Sequence, residues 1–271
     1  MKRKVLFVAS LVLATATFAQ DGLTSKKGEA ILPEAGDWAL GFDAAPFINY
    51  FGNFANGTTN NSMNAAWQTN DFSIVGKYYK DETTAYRGRL RIGFGSTSQE
   101  TNTDTSTNFA PVYLTDDFKT SNFNLTLGGG IEKRKGNTRI QGYYGAELLI
   151  SFGSSSSETD FDLPISATNP GARVIETTNP SFFGFGLRGF LGVEWFIAPK
   201  VSLGAEYGWG LGFQSIGEGE VKVEQWNATT NTVDTETFIT SGSGSQFRLD
   251  TDNNGGGIFG GSGQINLIFH F

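Results

Sequence analysis

Side-chain catalysis needs a base or a nucleophile, and this chain carries few of either. Its 271 residues include 1 His and 0 Cys, which excludes thiol catalysis, thiolate zinc sites, disulfide frameworks and a lipid-modified N-terminal Cys. The single histidine, His270, stands one residue from the end of the sequence. A general base must lie within hydrogen-bond reach of its nucleophile, and no paired carboxylates stand out from the background, so no catalytic residue and no cofactor is expected. A different pattern is more pronounced. Arg87, Arg89 and Arg91 recur at every second residue, a spacing that puts three guanidinium groups on one face of an extended strand. Such a row either binds and selects anions or is neutralised by acids in a hydrogen-bonded network. Elsewhere Asp250-Thr-Asp252-Asn-Asn254-Gly255 places oxygen donors at alternate positions, as a calcium loop does, but Gly261 stands where the bidentate Glu belongs. Asp250, Asp252 and Asn254 therefore read as an acidic turn, with no metal site expected.

Period-two alternation runs through the segments that hold these charges, and no helical period is visible. In 37–47, Trp38, Leu40, Phe42 and Ala44 share one face; in 71–80, Phe72, Ile74 and Tyr78 do. The arginines of 85–95 alternate with Tyr86, Leu90, Ile92 and Phe94. Comparable alternation fills 121–132, 138–152, 182–196, 201–213 and 258–271, giving about eight strands. Each is near or above the roughly 9–11 residues a tilted strand needs to cross a bilayer.

The composition of the two faces decides what they meet. A soluble sandwich turns its apolar faces inward and charges its outer ones. Here the non-apolar faces hold mostly Gly, Ser and Asn with sparse charges of both signs, which suits the narrow interior of a small barrel. The inner set is Asp43, Lys77, Arg87, Arg89, Arg91, Glu132, Arg139, Glu147, Arg188, Glu194 and Glu206. Glu132 and Arg139 flank one tight turn and are expected to pair; Arg188 and Glu206 sit diagonally on neighbouring strands. The near balance of charge favours a side-chain plug, while the arginine row keeps an anion filter open. Phe190 and Phe196 break the pattern by falling on the inner face, as do Gly76 and Gly189 on the outer. Trp38, Tyr78, Tyr86 and Trp195 lie beside short turns, where an interfacial aromatic girdle belongs.

The connections alternate in length. Tight links at 81–83, 133–137 and 198–200 are separated by long polar ones at 48–70, 96–120, 153–181 and 214–257. Short periplasmic turns and long outer loops are the usual arrangement of outer-membrane barrels. Within the last loop, 221–226 and 235–240 could form a hairpin around 227–234. The first residues fit an export signal: Lys2, Arg3 and Lys4, an apolar run over 5–16, and Thr17-Phe18-Ala19 before Gln20. Its removal takes three positive charges and no acid, so the formal net charge of -7 becomes -10. That acidity argues against a nucleic-acid partner. A mean hydropathy of -0.22 argues against a bundle of apolar helices. The expected organisation is a signal peptide at 1–19, a short periplasmic tail at 20–36 and a barrel at 37–271.

The cleavage site after Ala19, the alternating strands, the long loops and the aromatic last strand, 264–271, ending in Phe, are together similar to the small outer-membrane barrels of the OmpA transmembrane-domain and OmpX type. The resemblance covers essentially the whole mature chain. It implies an all-β, antiparallel up-and-down transmembrane barrel of about eight strands with long extracellular loops. It also implies an outer-membrane location and an assembly signal at Phe269 and Phe271 that the barrel-assembly machinery reads. Family members include adhesins, structural proteins, enzymes and narrow channels. The expected function is a plugged barrel with a structural or surface-interaction role through its loops. The alternatives are a narrow, anion-leaning channel and, behind it, an envelope lipid-modifying or proteolytic enzyme. Expected partners are outer-membrane lipid and lipopolysaccharide, the assembly machinery and an extracellular or envelope protein.

Overall fold

In the computed structural model, residues 23–44, 47, 50, 74–104, 113–251 and 263–271 are described. The expected signal peptide and most of the 48–70 connection lie outside them. Among the described residues, eleven strands follow in chain order: β1 (Trp38–Asp43), β2 (Ile74–Asp81), β3 (Thr84–Asp104), β4 (Tyr113–Lys135), β5 (Ile140–Asp160), β6 (Arg173–Ala198), β7 (Val201–Ile216), β8 (Gly219–Asn227), β9 (Thr232–Ser241), β10 (Gly244–Thr251) and β11 (Gln264–His270).

Eight of these close on themselves. The ladder runs β1-β2-β3-β4-β5-β6, continues from β6 to β7 and from β7 to β11, and returns to β1 through pairs such as Leu40↔Phe269. Every pairing in it is antiparallel. Closure satisfies the edge groups that an open sheet would leave bare. Inside and outside follow the sequence alternation. Phe94, Leu148 and Ile92 are exposed on the outer surface, at 78%, 64% and 59%, while Arg87, Glu147 and Arg188 are buried within.

The tight links fall where turn chemistry puts them. Glu82 and Thr83 join β2 to β3, and Pro199 and Lys200 join β6 to β7, with Lys200 at φ 60°. Gly136, at φ 116°, follows β4 in a left-handed conformation that suits glycine. The expected tail is folded from residue 23 onward. Thr24 bridges Ala30, Ile31 is 2% exposed, and the Gly36 amide donates to the Tyr79 carbonyl.

The long connections are where structure and expectation part. β3, β4, β5 and β6 have 21, 23, 21 and 26 residues, so much of 96–120 and 153–181 is strand. In stretches such as 153–160, Ser, Thr and acids occupy both faces. Both sides of that wall meet water, no apolar alternation is needed, and only the backbone ladder reveals the strand. The expected hairpin forms as β8 and β9 and hangs on the outer part of β6 through pairs such as Val174↔Val223. Sequence patterning did not mark β10, which returns along β7 with Phe247 opposite Phe213 and Leu249 opposite Leu211.

Candidate functional site

The inner faces meet in two linked layers of charge. At the end carrying the tight turns, Lys77 Nζ lies 3.0 Å from both Glu132 Oε1 and Glu194 Oε2. Arg134 Nη1 reaches the same two carboxylates at 2.7 and 2.9 Å, and its Nε donates to Gln141 Oε1 at 3.0 Å. Its guanidinium carbon sits 5.3 Å from the centre of the Tyr79 ring and 5.7 Å from that of Phe196.

One layer further in, Arg87 grips Glu206 through two nitrogens, at 2.5 and 2.9 Å. Arg188 Nη1 stands 2.8 Å from both Glu147 and Glu206. Arg89 Nη2 lies 3.0 Å from Glu147 and 3.2 Å from Glu206, and its Nη1 donates to Gln264 at 3.0 Å. Arg87 joins the layers, with its Nη1 3.6 Å from Glu132 Oε2.

Three of these contacts cross the barrel. In a ring of eight, β2 and β6 lie four strands apart, and so do β3 and β7. Lys77–Glu194, Arg87–Glu206 and Arg89–Glu206 therefore bridge opposite walls. The charged side chains involved are between 0% and 6% exposed. Desolvating that many ions is costly, and only dense mutual pairing offsets it.

Small inner residues make room for this. A Cβ at Gly208 would stand 2.5 Å from the Arg188 guanidinium, so glycine there lets the arginine lie flat against β7. Phe190 and Phe196, which break the apolar-out pattern, belong to the interior. They are 1% and 0% exposed, and Arg87 stacks over the Phe190 ring at 4.3 Å. The ring face attracts the cation, so an aromatic side chain serves as a packing partner for arginine in a confined space.

Of the expected inner charges, Lys77, Arg87, Arg89, Glu132, Glu147, Arg188, Glu194 and Glu206 form this network. Asp43 and Arg91 are half-buried towards the other end of the barrel, with Asp43 opposite Asn266. The expected Glu132–Arg139 pair is replaced by Glu132–Arg134. The β4–β5 ladder continues to Lys135↔Gly142, so strand alternation carries Arg134 inward, while Arg139 falls in the connection before β5. Parity extended two residues beyond Glu132 reaches Arg134, which lies in the segment 133–137 expected as a tight link. Asp250 lies in β10 opposite Gly210, and Asp252 and Asn254 are outside the described residues. Phe269 and Phe271 are 42% and 57% exposed, and Phe271 exchanges two backbone hydrogen bonds with Trp38.

His270 sits in the barrel floor beside a serine and an acid. Its Nε2 is 2.9 Å from Ser202 Oγ and 3.2 Å from Glu194 Oε1, and Ser202 donates to that same carboxylate oxygen at 2.6 Å. A Ser-His-acid relay needs the acid on the opposite ring nitrogen. Here Nδ1 has no hydrogen-bond partner among the described residues, and Ser202 is 0% exposed. The Tyr79 and Phe196 rings flank the imidazole, with centroids at 5.8 and 5.3 Å.

No family model matches the chain, and no curated protein does. Among solved structures, the chain is similar to the outer membrane protein OprG from Pseudomonas aeruginosa, with 8% identity and a TM-score of 0.31. That likeness covers 89% of this chain and 98% of OprG. The eight-strand ring itself is read from this chain's own ladder.

Proposed function

We propose that the protein is an outer-membrane barrel closed by its own interior side chains, acting as a structural or surface-interaction protein through the sheet and loops beyond the membrane. The observation that carries this reading is the set of ionic contacts across the ring, Lys77–Glu194, Arg87–Glu206 and Arg89–Glu206, at 3.0, 2.5 and 3.2 Å. An ion following the axis would have to break all of them, each within a low-dielectric interior.

Membrane insertion is supported by the outer wall. Rows such as Ile92–Leu125–Phe152–Phe183 would leave a contiguous apolar belt in water, which soluble proteins avoid. The wall beyond the belt carries Glu100, Asp116, Asp117, Glu158, Asp160 and Asp162, suited to contacts with divalent cations at a lipopolysaccharide surface or with a basic protein. Phe269 and Phe271 then serve as the signal for the assembly machinery. The buried serine and the misplaced acid favour a structural role for His270 over hydrolysis.

Planar-bilayer recordings of purified protein test the plug. No steady conductance steps are expected, and reproducible anion-selective steps would overturn it in favour of the channel reading. Epitope tags in 161–172 and in the β8–β9 turn should be displayed on intact cells; tags reached only after lysis would overturn the orientation.

A further inference from the structure

We infer that the outer wall of β1–β4 holds a binding site for one phospholipid with an anionic head group, drawn from the periplasmic leaflet. The inference rests on the membrane reading given above. Near the tight-turn end, a cleft of about 480 Å³ opens on the wall, lined by Trp38, Tyr78, Tyr86 and the backbone around Gly76 and Gly88. The three aromatic residues lie in register, Trp38 opposite Tyr78 and Tyr78 opposite Tyr86. Their rings form a continuous ledge. Trp38 and Tyr78 have centroids 4.9 Å apart, and Tyr78 and Tyr86 stack at 6.5 Å with planes 2° apart.

Above the ledge the wall recedes. Gly76, Gly88 and Gly129 stand side by side on three strands, and Ile74, Leu90 and Leu127 form the next row. A Cβ at Gly88 or Gly129 would meet nothing within 4 Å among the described residues. The neighbouring rows of a lipid-facing barrel carry large apolar side chains, so this recess forfeits contact unless something fills it. Because strands tilt in a barrel, the trough climbs the wall obliquely, a path that fits a flexible acyl chain.

Charge at the mouth of the cleft selects the head group. Lys133, one row below Tyr86 and Ile131, places its Nζ 2.7 Å from Thr84 Oγ1, which holds the ammonium against the wall beneath the ledge. Lys80 is exposed at the end of β2, the strand that pairs with the start of β3, and the neighbouring Asp81 carboxylate is engaged by the Thr83 hydroxyl and amide. A phosphate anchored by these lysines puts its ester region at the height of the Trp and Tyr polar edges and its chain in the trough, the order in which a phospholipid presents those groups.

Native mass spectrometry of the full barrel released from detergent, with phosphatidylglycerol or phosphatidylcholine added, tests the site. The wild-type protein should retain one phosphatidylglycerol and bind it at least tenfold more tightly than phosphatidylcholine. Gly88→Leu, whose Cβ would meet nothing within 4 Å among the described residues, projects into the trough and should lower retention at least tenfold. Lys133→Gln should leave lipid bound but remove the preference between head groups. Tyr86→Ala, which takes away one wall, should weaken both lipids. Unchanged retention in Gly88→Leu overturns the site, and so does a change in oligomeric state on that substitution, which would assign the cleft to a second copy of the chain. Folding of the same proteins into phosphatidylcholine vesicles, read by heat-modifiable gel migration, separates the two levels: failure to insert removes the membrane reading, whereas insertion with unchanged retention removes only this site.

Discussion

Arg87 on β3 and Glu206 on β7 face each other across the full width of the ring and meet through two nitrogens and two oxygens, at 2.5 and 2.9 Å. Three strands of wall separate them on either side, β4 to β6 one way and β2, β1 and β11 the other. The pair acts as a strut between opposite walls, and it draws Arg89, Arg188 and Glu147 into one cluster.

Removing either end of that strut should be costly, and removing both should cost less than the two single losses added together. Glu206→Gln leaves three arginines short of an anion, and the expected loss is about 3–5 kcal/mol. Replacing Arg87 with Met and Glu206 with Leu together should cost clearly less than the sum of the single changes, with a coupling of roughly 1–3 kcal/mol. Urea titration of the barrel refolded in micelles measures both. Additive single effects would show that the contact does not hold the walls together.

Arg134 and Arg139 provide a paired comparison. Arg134→Gln removes a buried cation that binds Glu132 and Glu194 and should cost about 3 kcal/mol or more. Arg139→Gln alters a half-buried residue in the connection before β5 and should stay within about 0.5 kcal/mol. Thermal unfolding of the two variants under matched conditions distinguishes them. Equal destabilisation would restore Arg139 to the interior network.

His270→Ala should behave as the loss of a floor side chain. The ring lies between Tyr79 and Phe196, so about 1–3 kcal/mol should be lost to the cavity and to the unpaired Ser202 hydroxyl face. Hydrolysis assays on envelope lipids and on peptides should read the same for wild type and variant. A lipid-modifying activity abolished by this substitution would place His270 in a catalytic role.

The β2–β3 turn has its own pH signature. The Thr83 hydroxyl, then the Thr83 amide, hydrogen-bond the Asp81 carboxylate and hold its pKa below the ordinary value. A depressed folded-state pKa stabilises the turn above the unfolded pKa, and that contribution disappears as pH falls through the folded value. Thr83→Ala should move the Asp81 titration upward, toward the ordinary carboxylate range, as read from its carboxyl NMR shift against pH. No movement would mean that the hydroxyl does not set the titration.

Alternation alone determined a good deal. The sequence of Tyr86–Phe94, with arginines between apolar residues, dictates which side of β3 is oily, because an extended chain has no other way to arrange successive side chains. The same logic placed Phe190 and Phe196 inside, against hydrophobicity, and they are buried beneath arginines. The tight turns were legible because Gly136 admits a left-handed backbone and Pro199 fixes its own φ. Tertiary structure decided the rest. Which acid meets which base depends on barrel closure and register, so Glu132 took Arg134 instead of Arg139, and Arg87 found a partner 119 residues away on the opposite wall. The outer halves of β3–β6 carried no periodic signal, since a sheet with water on both sides is held by backbone hydrogen bonds whose donors and acceptors are the same in nearly every residue.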